Sequence, residues 1–186
     1  MINKSKIPTK LLWLDLEMTG LNPSDDVILE VYAQITDFNF GKSKEFHQLI
    51  SHNKQRVQSL MANNNFWEEY PSNRDKFLSE LKGGKPIEEI DDALADLIAQ
   101  EFGNELAVLA GNSIHMDRQF IREYLPKTES LLHYRMLDVS AWKIIMQAKY
   151  DVHYTKKEVH RAKDDVAESI AELENYLGWF KENNGS

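Results

Sequence analysis

Residues 11–17 read Leu11-Leu12-Trp13-Leu14-Asp15-Leu16-Glu17. In an extended chain successive side chains alternate between faces, so Leu12, Leu14 and Leu16 share one side and Leu11, Trp13, Asp15 and Glu17 the other. One side is wholly apolar; the other begins apolar and ends in two carboxylates. Gly20 and Asn22-Pro23-Ser24 then close the segment in a turn. Residues 27–38, rich in β-branched and aromatic side chains, read as a second strand. Asn39 and Gly41 mark a tight return into a third, 45–50. Three consecutive strands with short connections imply an antiparallel meander.

Farther along, residues 55–81 are helical in composition, broken near Asn63-Asn64-Asn65 and again at Pro71, and Gly83-Gly84 punctuates the chain. Pro86 opens an amphipathic helix whose Ile87, Ile90, Leu94, Leu97, Ile98 and Phe102 recur at helical spacing, with Gly103 at its end. Residues 106–110 read as a short buried strand, Gly111-Asn112-Ser113 as a turn and 115–125 as a helix. A last strand, 136–139, leads into a helix through Lys149. Residues 150–163 are polar and loop-like, and a final helix begins near Asp164 with Val166, Ile170, Leu173 and Leu177 as its stripe. The order favours one mixed α/β sheet with helices on both faces.

The chain has 186 residues, 42% hydrophobic and 28% charged, which suits a soluble globular fold that needs no disulfide or metal for size alone. It reads as a single domain, 1–186, with 1–10 and 182–186 as tails. Lys and Arg number 22 against 30 Asp and Glu, a formal charge of −8. That balance argues against long duplex DNA as a partner, since such affinity comes from basic side chains on phosphates. A short anionic ligand held by a few donors, or by metal ions on the chain's own carboxylates, remains compatible. The absence of cysteine excludes thiolate zinc sites, thiol nucleophiles and disulfides and fits a reducing compartment. No apolar run approaches the roughly 20 residues that span a bilayer, and residues 1–10 lack a signal-peptide core. A cytoplasmic protein without a membrane partner is expected.

Asp15 and Glu17 interrupt an apolar strand near its end and point the same way. An edge strand often carries charge on its solvent face, but Leu11 and Trp13 precede them on that face, which favours cover. Asp117 follows the turn at Gly111-Asn112-Ser113, and Asp164-Asp165 open the last helix. Acids at helix starts are favoured by the macrodipole by about 0.3–1 kcal/mol, so each alone reads as a helix-start residue. His160 alone reads as a surface histidine. Convergence changes the account: two carboxylates about 5 Å apart repel by about 3 kcal/mol at an effective dielectric near 20. Several such pairs rival a domain's net stability of roughly 5–15 kcal/mol, so the group must take up protons or hold cations. Hard oxygen ligands select Mg²⁺ or Mn²⁺, and two such ions are a known device for in-line phosphoryl displacement. A histidine beside them suits removal of a water proton near neutral pH.

Four blocks resemble the oligoribonuclease family, in the DEDDh group of 3′-to-5′ exonucleases. They are Leu14-Asp15-Leu16-Glu17-Met18-Thr19-Gly20-Leu21; Gly111-Asn112-Ser113-Ile114 with Asp117-Arg118; His133-Tyr134-Arg135-Met136-Leu137-Asp138-Val139-Ser140; and His160-Arg161-Ala162-Lys163-Asp164-Asp165. They occur in the family's order and span nearly the whole chain. The resemblance implies a ribonuclease H-like α/β fold, a mixed five-stranded sheet with three antiparallel strands then parallel ones, flanked by helices. It implies that Asp15, Glu17, Asp117 and Asp165 hold two divalent metal ions, Mg²⁺ or Mn²⁺, with His160 as general base. The family cleaves short RNA oligonucleotides, dinucleotides especially, to 5′-mononucleotides, and acts as a homodimer. By the same carry-over Leu21 wedges against the bases, Ser113, Arg135 and Ser140 cap the 5′-phosphate, and Tyr134 and Arg135 come from the neighbouring protomer. An arginine fork suits phosphate by bidentate pairing.

One block departs. After Leu60-Met61 the family places a tryptophan about three residues on and a histidine five beyond it; here those positions hold Asn64 and Glu69, with Phe66 and Trp67 nearby. One reading shifts the alignment and makes Trp67 the stacking aromatic. The other is a weakened base platform, where loss of stacking worth about 1–3 kcal/mol lowers affinity roughly tenfold to a hundredfold without touching the chemistry. The second leaves room for longer RNA or single-stranded DNA as substrate. A non-catalytic nucleic-acid-binding module on the same fold is the remaining alternative, and such a module has no need of an acid cluster.

Overall fold

A computed structural model describes residues 8–62, 64–155 and 160–184. Strands β1 (Lys10–Met18), β2 (Ile28–Asp37), β3 (Lys42–Leu49), β4 (Ala107–Gly111) and β5 (Leu132–Asp138) form one sheet in the order β3-β2-β1-β4-β5. The pairs β1–β2 and β2–β3 are antiparallel, and β1–β4 and β4–β5 are parallel. The meander and the mixed five-stranded sheet expected from sequence are both present. The solvent-edge explanation of Asp15 and Glu17 is not: β1 is the middle strand.

Each face of β1 has its own helical cover. Leu12, Leu14 and Leu16 pack with Ile90, Leu94 and Ile98 of α4 (Ile87–Phe102) and with Phe120 and Ile121 of α5 (His115–Tyr124). Leu11 and Trp13 pack with Val139 and Met146 of α7 (Val139–Tyr150) and with Val166, Ile170 and Leu173 of α8 (Ala162–Asn184). The Trp13 indole N–H donates to Thr36 Oγ1 at 2.9 Å, so its polar atom is satisfied inside that layer. Helices α1 (Lys54–Ala62), α2 (Asn65–Glu69) and α3 (Pro71–Glu80), with a 3₁₀ turn at Leu81–Gly83, build a third apolar cluster containing Val57, Met61, Trp67 and Phe77. It rests on Val27 and Leu29, beside the turn that follows β1. Among the described residues no helix is long and apolar enough to cross a membrane.

The two largest shifts in strand boundaries share one cause. β3 begins at Lys42 rather than residue 45, and β5 at Leu132 rather than 136. Both are edge strands, and their early residues, Lys42-Ser43-Lys44 and His133-Tyr134-Arg135, are largely exposed, so they carry no apolar alternation to betray them. The short helix α6 (Pro126–Ser130) was not foreseen; it begins on a proline and is capped from outside by Asp91 of α4, which accepts from Lys127 N and Thr128 N at 2.9 and 2.8 Å. The tails are shorter than expected. Lys10 lies in β1 with its Nζ on Glu101 at 2.9 Å, and residues 182–184 continue α8, while 1–7 and 185–186 lie outside the described residues.

Leu14 is 1% exposed at the centre of the first layer, so Leu14→Ala is expected to cost about 2–5 kcal/mol in urea unfolding. Lys76→Ala, at an exposed side chain on α3, should change stability by no more than about 0.5 kcal/mol.

Candidate active site

The carboxylates meet where β1 ends. Asp15 pairs with Tyr32 and Glu17 with Glu30 across the β1–β2 ladder, and the register shifts between Glu17 and Met18. Such an irregularity bends a strand and re-aims its last side chains. The first turn of α8 crosses the same face and supplies Asp165. Asp15, Glu17 and Asp165 each offer an oxygen, and the three lie within 4.8 Å of one another. Asp117, in the first turn of α5, arrives from the other side: it is buried, and its Oδ1 accepts from the Leu16 backbone N–H at 2.9 Å. That bond docks α5 onto β1 between the two strand acids. The four sequence-predicted acids are thus gathered at one strand end, three in a single cluster and the fourth alongside.

Their protonation shows the strain of that gathering. Burial, then Asp117, Glu17 and Asp165 in turn, hold the Asp15 carboxyl well above its usual range. Glu17 is pushed up to about 8 by burial and by Asp165 and Glu30, with Arg161 opposing. Asp117 is raised to about 7 by burial, offset by backbone N–H groups including that of Leu16. A cluster of oxygens short of positive charge fits one or more hard divalent cations; Asp15, Glu17 and Asp165 would hold them, with Asp117 adjoining.

Glu30 is a fifth acid that sequence reasoning missed. It is 1% exposed, yet hydrogen bonds from Arg161 and His47 outweigh its burial and keep its carboxyl below the usual value. Arg161 Nη2 and Nε donate to its two oxygens at 2.6 and 3.0 Å, and Ala162 N donates to Oε2 at 3.3 Å. Arg161 also reaches Glu80 of α3 at 3.2 Å and lies over the Phe77 ring at 4.9 Å. The pair ties the start of α8 to β2. The available signal was an acid inside an apolar strand, the same anomaly that singled out Asp15.

His160 lies just before this anchor, in the left-handed region at φ 53°, and its carbonyl accepts from Asn73 Nδ2 at 2.9 Å. Its ring sits edge-on to Phe66 and Tyr70, with centroids 5.1 and 4.1 Å away, and its Nε2 is buried without a hydrogen-bond partner among the described residues. Phe66 in turn lines a cleft of about 190 Å³ with Glu17, Leu21 and Asn64. The cleft shares Gly20, Leu21 and Asn64 with a wider groove edged by Asp25 and Asp26. Leu21 stands between them, 66% exposed.

Trp67 does not serve as a stacking surface. It is 1% exposed, part of the third apolar cluster, and its indole N–H donates to Thr19 O at 2.9 Å. One residue decides the matter: the turn of α2 buries Trp67 and turns Phe66 to the cleft. Asn64 stands at the cap of that helix, its Oδ1 accepting from Phe66 N at 3.0 Å and its Nδ2 donating to Thr19 O at 3.2 Å. Glu69 is exposed.

Ser113 and Ser140 meet at the ends of β4 and β5, with hydroxyls 3.1 Å apart and Ser113 N donating to Ser140 Oγ at 3.0 Å. Tyr134 and Arg135 lie on the edge strand β5, Tyr134 65% exposed with the Arg135 guanidinium 5.1 Å from its ring. The buried Arg118 holds this strand by donating to His133 O at 2.7 Å and to Glu129 Oε1 at 3.0 Å.

Comparison with known proteins bears on this geometry. Residues 12–173 match the RNase_T family, described as exonuclease. The oligoribonuclease of Baumannia cicadellinicola is 36% identical over 174 residues, covering 91% of this chain and 93% of that one. That of Tropheryma whipplei is 35% identical, covering 93% and 94%, and that of Neisseria meningitidis 34%, covering 91% of each. Among solved structures, exonuclease I from Methylocaldum szegediense superposes with a TM-score of 0.62 at 12% identity. E. coli exonuclease I in complex with a dT13 oligonucleotide gives 0.59 at 14%. Each covers 94% of this chain, which spans only 41% of theirs, so this likeness speaks for the ribonuclease H-like fold alone. A family match from β1 into α8, and relatives above 30% identity along nine tenths of the sequence, agree with the acids on the central strand: the chain belongs to the oligoribonuclease family of exonucleases.

Proposed function

We propose that this chain is a metal-dependent 3′-to-5′ exoribonuclease that degrades short oligoribonucleotides, dinucleotides especially, to 5′-mononucleotides. The convergence of Asp15, Glu17 and Asp165 within 4.8 Å carries the reading. Two Mg²⁺ or Mn²⁺ ions bound there would supply charge stabilisation at the phosphate and a water of lowered pKa. The chain's own groups do the rest. Asp15, Glu17, Asp117 and Asp165 fix the ligand set, and Asp117 is oriented by the Leu16 N–H before any substrate arrives. His160, with an unsatisfied Nε2 beside the cleft aromatic Phe66, takes the water proton. Leu21 wedges the bases at the cleft mouth, and Phe66 replaces Trp67 as the cleft aromatic.

Ser113 and Ser140, with Arg135 of the neighbouring protomer, form the cap for a 5′-terminal phosphate. The protein acts as a single exonuclease domain in a cytoplasmic homodimer in which Tyr134 and Arg135 reach the neighbouring protomer's site. Support for the homodimer is an edge strand and helix exposing Tyr134, Met136, Ile144 and Ile145. A second reading, favoured by Asn64 and Glu69 at positions where the family carries aromatic and imidazole rings, keeps the chemistry but assigns longer RNA or single-stranded DNA.

Purified protein with Mn²⁺ or Mg²⁺ is expected to hydrolyse a labelled diribonucleotide faster than a seven-mer or single-stranded DNA, and EDTA to stop it. Intact substrate across the series would refute the enzyme, and a preference for longer strands would select the second reading. Asp165→Asn should abolish turnover together with metal uptake seen by calorimetry. His160→Ala should keep metal uptake and lose about 10²–10⁴-fold in rate. Stability of the metal-free protein should fall as pH rises from about 4.5 to 8, because folded Glu17, raised from 4.5 to about 8, and Asp117, raised from 3.8 to about 7, bind protons more tightly than the unfolded chain does. Thermal melts at both ends of that window, with and without Mg²⁺, check this; the metal should restore the loss at the alkaline end.

A further inference from the structure

Asn112, the middle residue of the turn after β4, has no place in the chemistry above, yet its carboxamide joins three elements. Its Nδ2 donates to Ser169 Oγ at 2.7 Å and to Glu172 Oε2 at 3.2 Å, both on α8. Its Oδ1 accepts from Ser140 Oγ at 3.2 Å, at the start of α7. Glu172 is fully buried, and its other oxygen accepts from the Tyr176 hydroxyl at 2.8 Å. An acceptor oxygen opposite an amide selects its nitrogen, so the Asn112 oxygen must face Ser140.

That orientation has a direction. The single hydroxyl hydrogen of Ser140 is committed to Asn112, and the Ser140 oxygen turns its lone pairs to Ser113. Ser113 N–H donates to that oxygen at 3.0 Å and to Asp138 Oδ1 at 3.0 Å. Ser113, held at φ 49°, therefore has one movable hydrogen left, on its own Oγ, 3.1 Å from Ser140 Oγ.

We infer that Asn112 is a positioning residue for the 5′-phosphate cap: anchored on Glu172 and Ser169, it fixes the hydrogen-bond direction through Ser140 so that the Ser113 hydroxyl is the donor that turns to a terminal phosphate. The inference rests on the cap proposed above. An anionic phosphate oxygen is a better acceptor than a neutral hydroxyl, so the Ser113 hydrogen moves to it while Ser140 stays pinned. The link to the metal cluster is indirect: Ser169 Oγ, which accepts from Asn112, donates to the main-chain carbonyl of Asp165 at 2.8 Å and not to its carboxylate.

The test compares kcat/KM for a 5′-phosphorylated diribonucleotide, the same dimer with a 5′-hydroxyl, and a labelled five-mer. Wild type should prefer the phosphorylated dimer. Asn112→Ala should lower that preference about tenfold while five-mer turnover and the Mg²⁺ dependence stay within about threefold. Asn112→Asp, which keeps an acceptor toward Ser140 and shares a proton with Glu172, should recover most of the preference. The double variant with Ser140→Ala should fall no lower than Ser140→Ala alone. If melting curves show Asn112→Ala unfolded, Asn112→Ser takes its place with the same expectation of loss. A preference that survives in the variant, or an equal loss on all three substrates, overturns the inference alone; a wild type without phosphate preference overturns the cap and the inference together.

Discussion

The molecule is organised around the ion pair between Glu30 and Arg161. Glu30 stands directly across the ladder from Glu17, inside the sheet and next to a cluster that already lacks positive charge. A buried carboxylate in that position is tolerable because the arginine fork meets both its oxygens. Removing one partner of such a pair typically costs about 3–5 kcal/mol, since the other is left charged and desolvated. The arginine also decides where α8 begins, and α8 carries Asp165 while His160 immediately precedes it. One interaction thus ties the start of the helix that carries Asp165 to the strand that faces Glu17.

Much of this was legible in the sequence because strong constraints write themselves into residue types. A strand buried on two faces has no reason to carry acids, and Asp15 and Glu17 stood out for that reason. The stripe of α4 and its glycine stop were readable because burial on one side enforces the period. Legibility ended where tertiary partners make the decision. The edge strands β3 and β5 lost their first residues, since an edge exposes side chains that need not alternate. Helix α6 takes its cap from Asp91, more than thirty residues upstream, and no local pattern announces that. The exchange of Phe66 for Trp67 turned on the phase of a five-residue helix, too short to show a periodicity. Glu30 was visible as a residue but not as a partner, because its arginine is 131 positions away.

The parts of the site rest on largely different elements, with α8 shared. The acid cluster draws on β1, α5 and α8, the two serines on the ends of β4 and β5 and, through Asn112, on α8, and Phe66 on α2. Apart from α2 these supports converge on the carboxyl ends of the parallel strands, where α/β sheets generally bind their ligands. Function can therefore change in one part and not another. Asn64 caps α2 and Glu69 is exposed, whereas Asp15, Glu17 and Asp165 stand together at the end of β1, so the proposed base platform can vary without disturbing the acids.

The turn bearing Leu21 is braced more firmly than its exposure would require. Asp26 accepts from Thr19 Oγ1 at 2.8 Å and from Asn22 N at 3.0 Å, and a Cβ on Gly20 would come within 2.6 Å of that carboxylate. Thr19 N donates to Val27 O at 3.0 Å, while the Thr19 carbonyl receives both the Trp67 indole and the Asn64 amide. The conformational entropy of this segment is thus surrendered when the chain folds rather than when a ligand arrives. A ligand that meets this turn need not supply the free energy of ordering it.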